Sequence, residues 1–154
     1  MIAYLSGAME NAPRMGSVWR NNITDWLKNE FGHAVFDPVV ESKKIIQKSH
    51  SINYKSWKYS DPGRYKNFIR SFIDRDLKLI IQKTDYLIVL WDDNVIKGGG
   101  THGEITMAYY KKIPIFLVNR MQNHEISGWI FSCATEVFDS FDELKLDFIK
   151  RFNQ

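Results

Sequence analysis

Between two apolar runs the chain carries Gly98-Gly99-Gly100-Thr101-His102-Gly103-Glu104. Consecutive glycines let a backbone approach a ligand closely and adopt positive φ. A helix beginning there offers unpaired N–H groups to an anion or a sugar hydroxyl. The run lacks the Gly-Lys-Ser/Thr of a triphosphate loop and the spacing of a dinucleotide fingerprint. Glu104 has two readings. Thr101-x-x-Glu104 matches a capping box, in which the glutamate only reaches back to the N-cap amide. A carboxylate beside a loop made for backbone proximity is, however, more than a helix start requires.

Asp76 falls three residues after Ile73 and four before Ile80, on the apolar stripe of a helical pattern. A carboxylate there is costly unless it is paired. It is either the structural partner of an arginine or amide, or a group with a shifted pKa at a site. Tyr4 ends an apolar run before the turn Ser6-Gly7; it is a core residue, or its hydroxyl reaches a carboxylate. Asp92-Asp93 follows the longest apolar run, where an acidic pair can take sugar hydroxyls or a metal, or serve as turn chemistry. His102 stands alone, no Cys/His cluster has zinc-ligand spacing, and Gly-x-Ser-x-Gly is absent. The single cysteine, Cys133, excludes an intramolecular disulfide and reads as buried and inert.

The elements that must position these residues alternate. Ile2–Leu5 reads as a strand, and Val18–Phe31 as a helix that Gly32 ends. Ala34–Phe36 is a second strand, stopped by Asp37-Pro38. Residues 39–66 show no clean period; their lysines and arginine alternate with Tyr54, Trp57, Tyr59 and Tyr65. They read as an irregular lid or binding loop, or as a linker whose aromatics pack locally. Phe68–Lys83 is a helix with Ile69, Phe72, Ile73, Leu77 and Ile80 as one stripe and Arg70, Asp74 and Lys78 as a solvated row. Tyr86–Trp91 and Ile113–Val118 read as central parallel strands, separated by the loop Asp92–Gly100 and a helix Thr101–Lys111. Val137-Phe138 reads as an edge strand, and Ser140 with Glu143 as a capping box opening a last helix to about Phe152.

Such alternation implies an α/β fold with a mostly parallel sheet covered on both faces. Ligands then bind outside the carboxyl ends of the strands, which directs attention to residues 6–16, 37–41, 92–104 and 119–122. The chain has 154 residues, 44% hydrophobic and 25% charged. These values fit one globular domain over 1–154 and exclude wholesale disorder. The net charge of +3 is too mild for a nucleic-acid polymer surface. The first 70 residues hold 11 basic against 6 acidic residues, a balance that suits a small anionic ligand or simply a mixed solvated surface. With no charged leader and no apolar run of membrane length, the expected location is the cytosol, away from membranes.

Three blocks taken together resemble the nucleoside 2-deoxyribosyltransferase family and its relatives, the 2′-deoxynucleoside 5′-phosphate N-hydrolases. They are Ile2-Ala3-Tyr4-Leu5-Ser6-Gly7; Asp74-Arg75-Asp76-Leu77 through Thr84-Asp85-Tyr86-Leu87-Ile88-Val89-Leu90; and Gly100-Thr101-His102-Gly103-Glu104-Ile105-Thr106-Met107-Ala108. The resemblance implies a flavodoxin-like three-layer fold with a five-stranded sheet. It implies cleavage of an N-glycosidic bond in a nucleoside or nucleotide, with hydrolysis or transfer of the sugar, and no metal or redox cofactor. Glu104 matches the family's nucleophile, Tyr4 the tyrosine that positions it, and Asp76 the aspartate that binds or protonates the leaving base. Ser6, Gly7, Asp92, Asp93, Gly99, Gly100 and Thr101 are the expected substrate-binding residues. The family also suggests a homodimer or larger assembly, as does the apolar run Trp129-Ile130-Phe131.

The chain departs from the family in places. The nucleotide hydrolases have a phosphate-binding serine and arginine after the first strand; Ala8 and Glu10 stand there here. A monophosphate would then need Arg14, Arg20 or the basic stretch 43–66. The transferases place an aspartate a few residues before the nucleophile, where this chain has Gly98. The Gly-Gly-Gly-Thr-x-x-Glu run is also similar to part of the signature of cytokinin-activating phosphoribohydrolases. A non-catalytic sensor for a nucleotide-derived signal is the alternative from outside enzymology.

Overall fold

The computed structural model describes residues 1–152. Its five strands are β1 (Ile2–Gly7), β2 (Ala34–Phe36), β3 (Tyr86–Trp91), β4 (Ile115–Asn119) and β5 (Glu136–Phe138). They form one sheet in the order β2-β1-β3-β4-β5. Every pairing is parallel, with Tyr4 beside Phe36 on one side and Leu87 on the other. The helices are α1 (Ser17–Phe31), α2 (Pro38–Lys48), α3 (Trp57–Ser60), α4 (Pro62–Lys83), α5 (Gly100–Tyr110), α6 (Gly128–Cys133) and α7 (Phe141–Phe152). This is the parallel α/β architecture the alternation implies, in the flavodoxin-like form the resemblance implies.

The two-residue period of a strand divides the core. Tyr4, Leu87, Val89, Ile115 and Leu117 face one side, where Ile80 of α4, Ile105 and Ala108 of α5 and Ile130 of α6 cover them. Ala3, Leu5, Tyr86, Ile88, Phe116 and Val118 face the other, under Ile23 and Leu27 of α1 and Leu144 and Phe148 of α7. Chain direction reverses across the sheet between β1 and β3, since β2 lies outside β1 and β4 outside β3. A crevice at the strands' carboxyl ends is expected at that switch point.

Residues 39–66 are the main correction to the sequence reading. They are largely helical: α2, a 3₁₀ turn at Tyr54–Ser56, α3 and the first turn of α4. The start signal occurs twice as Asp-Pro. Asp37 caps α2 by accepting from the Val39 amide at 2.9 Å, and Asp61 caps α4 by accepting from the Arg64 amide at 3.0 Å. In each case the proline occupies the first helical position, where its missing N–H costs nothing. Read as a strand stop, Asp37-Pro38 is also a helix start. The aromatics of this region pack on each other: Tyr54 and Trp57 both meet Phe68, which meets Phe72. The structure also has α6, whose short apolar run buries Ile130 and Cys133 and leaves Trp129 and Phe131 exposed.

Candidate active site

The elements around the β1/β3 switch point enclose a cavity of about 490 Å³. Its floor comes from the loop after β1 (Gly7–Asn11) and from the start of α5, where Gly99, Gly100, Thr101, Gly103 and Glu104 reach it. The far wall is apolar: Ile46 from α2, Tyr54 from the 3₁₀ turn, and Tyr65, Ile69, Phe72, Ile73 and Leu77 from α4. The α4 stripe is therefore mostly cavity wall. Of its members only Ile80 is fully buried in the core.

Glu104 lies in the first turn of α5, and β1 supplies its partners. Tyr4 and Ser6 are two residues apart and so face the same side of the sheet. The Tyr4 hydroxyl donates to Glu104 Oε1 at 2.6 Å, and the Ser6 hydroxyl donates to Oε2. Each carboxylate oxygen thus has one fixed donor, and the residue is partly buried and lines the cavity. The capping box is not made: Gly99 is the N-cap and no side chain caps α5. Burial raises the Glu104 pKa to about 7; the Ser6 and Tyr4 hydrogen bonds hold it down, and Asp76 adds a smaller upward push. Burial, followed by the charge of Glu104, keeps the Tyr4 phenol well above its ordinary range. Tyr4 is therefore a neutral donor at any pH the protein meets.

Asp76 lines the same cavity from α4. Its neighbour Arg75 holds Oδ1 through Nε and Nη2, each at 2.7 Å, and also donates to Ser42 Oγ at 3.0 Å. Burial raises the Asp76 pKa and Arg75 opposes the rise. Both readings of Asp76 thus meet in one place, since it is paired with an arginine and also faces the cavity.

The other expected residues divide. Gly7, Gly99, Gly100 and Thr101 line the cavity. Ser6 is fully buried behind Glu104 and touches the carboxylate, not the cavity. Asp92 caps its own turn, accepting from the Asn94 and Val95 amides at 3.0 and 3.3 Å, and borders a separate cavity of about 360 Å³. Asp93 is exposed and lines neither cavity. The glycines of 98–100 do not use positive φ, which among glycines occurs only at Gly16 and Gly32 of the described residues. Their use is space: a Cβ on Gly99, Gly100 or Gly103 would meet nothing within 4 Å, so side chains there would only fill room open to a ligand. Among the described residues no cluster of His, Cys, Asp or Glu could hold a metal ion. No described helix is long and apolar enough to cross a membrane.

The sequence reading offered Arg20 as a free phosphate donor, and the structure assigns it a different job. Arg20 is fully buried. Its Nη2 donates to the Gly7 carbonyl at 2.9 Å. Its Nη1 donates to the carbonyls of Met15 and Gly16 at 3.1 and 3.2 Å. Nε lies 3.4 Å from Asp37 Oδ1. Arg20 thereby fixes the loop after β1, including Arg14 and Met15 at φ 51° and 58°, and ties it to the cap of α2. A signal for it exists in the sequence, since Arg20 shares the i, i+3, i+7 stripe of Ile23 and Leu27. Arg14 is exposed, and neither it nor any lysine of 43–66 lines the cavity.

No protein-family model matches the chain, and no curated protein matches it in sequence. Among solved structures, it is similar to a 2-deoxyribosyltransferase from the psychrotolerant bacterium Bacillus psychrosaccharolyticus, with a TM-score of 0.56 and 13% identity. The match covers 94% of this chain and 90% of that one. The likeness therefore extends over nearly the whole chain, beyond the three blocks that carry the sequence resemblance.

Proposed function

We propose that the protein is an enzyme that cleaves the N-glycosidic bond of a nucleoside or nucleotide, with Glu104 as nucleophile. The observation that carries this reading is the Glu104 carboxylate, held by two hydroxyls at the edge of a cavity that also contains Asp76. Support also comes from the fold shared with a 2-deoxyribosyltransferase. A carboxylate near neutrality in its pKa is in part ionised at pH 7, yet poorly solvated and therefore reactive.

In the first step a Glu104 oxygen attacks the anomeric carbon. The C–N bond breaks and its electron pair leaves with the base. Protonated Asp76 gives that base nitrogen its proton, through the Oδ2 that Arg75 does not hold. A glycosyl ester of Glu104 and a free base result. In the second step water, or the nitrogen of another base, attacks the same carbon, the ester bond breaks, and Asp76 takes up the proton released. Two displacements retain the anomeric configuration, as in retaining glycosidases. Tyr4 and Ser6 are positioning residues that fix the carboxylate's orientation and lower its pKa. Gly7, Gly99, Gly100 and Thr101 leave room for the sugar, and Tyr54, Tyr65 and Phe72 form an apolar wall suited to a flat base.

The reading extends to a cytosolic homodimer or larger assembly. Trp129, Phe131, Tyr109 and Tyr110 are each more than half exposed, more apolar surface than a solitary helix pair usually shows to water. The test is to incubate the protein with nucleosides, 2′-deoxynucleosides and their 5′-monophosphates, then quench during turnover. Released or exchanged base, with one sugar mass on the peptide containing Glu104, is the expected result. Thermal stabilisation by a ligand without base release would make the protein a sensor instead.

A further inference from the structure

The charge of the cavity bears on its ligand. Its charged lining side chains, among the described residues, are Glu10, Asp76 and Glu104, and all three are acidic. The nearest cations are committed elsewhere. Arg20 is buried against Asp37 and the carbonyls of the loop after β1. Arg75, which does not line the cavity, spends Nε and Nη2 on Asp76 and Ser42, and its remaining Nη1 is buried with no hydrogen-bond partner. The amides at the start of α5 supply positive potential, and Glu104 in that same turn already faces it; the charge of Arg75 is offset by Asp76. The overall positive charge of the first half of the chain is a property of its outer surface.

We propose that the site selects against anions: its substrate is a neutral or cationic nucleoside with a free 5′-hydroxyl, and a 5′-monophosphate is excluded by charge. This rests on the glycosidase reading for turnover, but not for binding. A phosphate monoester carries about −1.5 to −2 charges at neutral pH. In a cavity of about 490 Å³ it is brought near Glu10 and the ionised fraction of Glu104, on the scale of a Debye length, ~8 Å at physiological salt, while Asp76, paired with Arg75, adds little to the repulsion. Like charges brought together in this way cost enough to lower affinity by about a hundredfold. Glu10 is the exposed member, so it can be reversed in sign without disturbing the core.

The test uses 2′-deoxyadenosine and thymidine, each with its 5′-monophosphate. Dissociation constants are measured by calorimetry on Glu104→Gln, which holds ligand without turning it over, and kcat/KM on the wild type. The expected result is a nucleoside preference of about a hundredfold in kcat/KM on the wild type and a smaller one in the dissociation constants of Glu104→Gln, which lacks one carboxylate, each reduced about tenfold by Glu10→Lys. A monophosphate bound or cleaved as well as its nucleoside overturns the proposal, as does a preference that Glu10→Lys leaves unmoved. Selective binding of nucleosides with no cleavage of either compound supports charge selection and sinks the glycosidase reading alone. No binding of any of the four at millimolar concentration overturns both.

Discussion

Replacing Glu104 by glutamine separates a nucleophile from a helix cap, and it does so in two independent readouts. Glutamine keeps the shape of the side chain. Its amide oxygen can accept from Tyr4, and its amide N–H can donate to a reoriented Ser6 hydroxyl. What it loses is the charge. In the native protein burial lifts the Glu104 pKa from 4.5 to about 7. Between these values the folded state binds more protons than the unfolded one, so stability falls as pH rises. The wild type therefore has its full Glu104 contribution below pH 4.5 and loses it as pH passes through about 7. At ~1.4 kcal/mol per pKa unit the loss levels off at about 3 kcal/mol. Glu104→Gln does not titrate. It should match the wild type in acid and exceed it by about 3 kcal/mol at about pH 8.5, or roughly 6–12 °C in Tm for a chain of this size. Denaturant titrations at several pH values measure the same gap through the midpoint. Turnover should be abolished, because an amide oxygen does not form the glycosyl ester. A gain in stability with loss of activity is what removing a destabilising functional charge produces. The reasoning fails if the stability gap does not change with pH, or if the variant cleaves substrate at the wild-type rate.

Removing one donor at a time should shift the nucleophile without destroying it. Tyr4→Phe or Ser6→Ala deletes a hydrogen bond to the ionised carboxylate, worth ~1.5–3 kcal/mol, so the acid limb of kcat/KM should move up from about 7 by about one pH unit or more; an unmoved limb would detach these hydroxyls from the chemistry. Asp76→Asn should lower turnover by ~10²–10⁴ while the fold persists, as circular dichroism would show; a failure to fold would make Asp76 only the partner of Arg75. Arg20→Met should cost about 3–5 kcal/mol, because it strands buried Asp37 and the carbonyls of Gly7, Met15 and Gly16, and a shift of the urea midpoint within experimental error would refute the clamp. Light scattering at micromolar concentration should return a dimer or larger species; a monomer would remove the assembly proposed for the α5–α6 face.

The sequence by itself determined the strands, the long helices and the parallel layering. Tyr86–Trp91 is an unbroken apolar run of strand length, and the Ile23/Leu27 and Phe148/Leu144 spacings are local signals that need no partner to be read. It also singled out Tyr4, Asp76 and Glu104 as residues that a plain core or cap leaves unexplained. The helices of 38–66 have local start signals too, in Asp37-Pro38 and Asp61-Pro62, but the short α3 and the 3₁₀ turn between α2 and α4 leave the segment without one continuous period. Only the tertiary structure decided what the matching patterns do. Ser140-x-x-Glu143 and Thr101-x-x-Glu104 carry the same signature. The first does cap its helix, with Ser140 accepting from the Glu143 amide at 3.2 Å and Glu143 reaching one residue past the cap to accept from the Asp139 amide at 2.9 Å. The second does not, because β1 lies beside the first turn of α5 and presents two hydroxyls to Glu104. Nothing within a few residues of Glu104 encodes that choice, since Tyr4 and Ser6 lie about a hundred residues away. The same holds for charge. Composition gives a positive chain, but the fold turns the lysines of 43–66 outward and gathers three carboxylates around the cavity, because α2 and the turn after it present Pro38, Ser42, Ile46 and Tyr54 to it and keep their lysines on the solvent side.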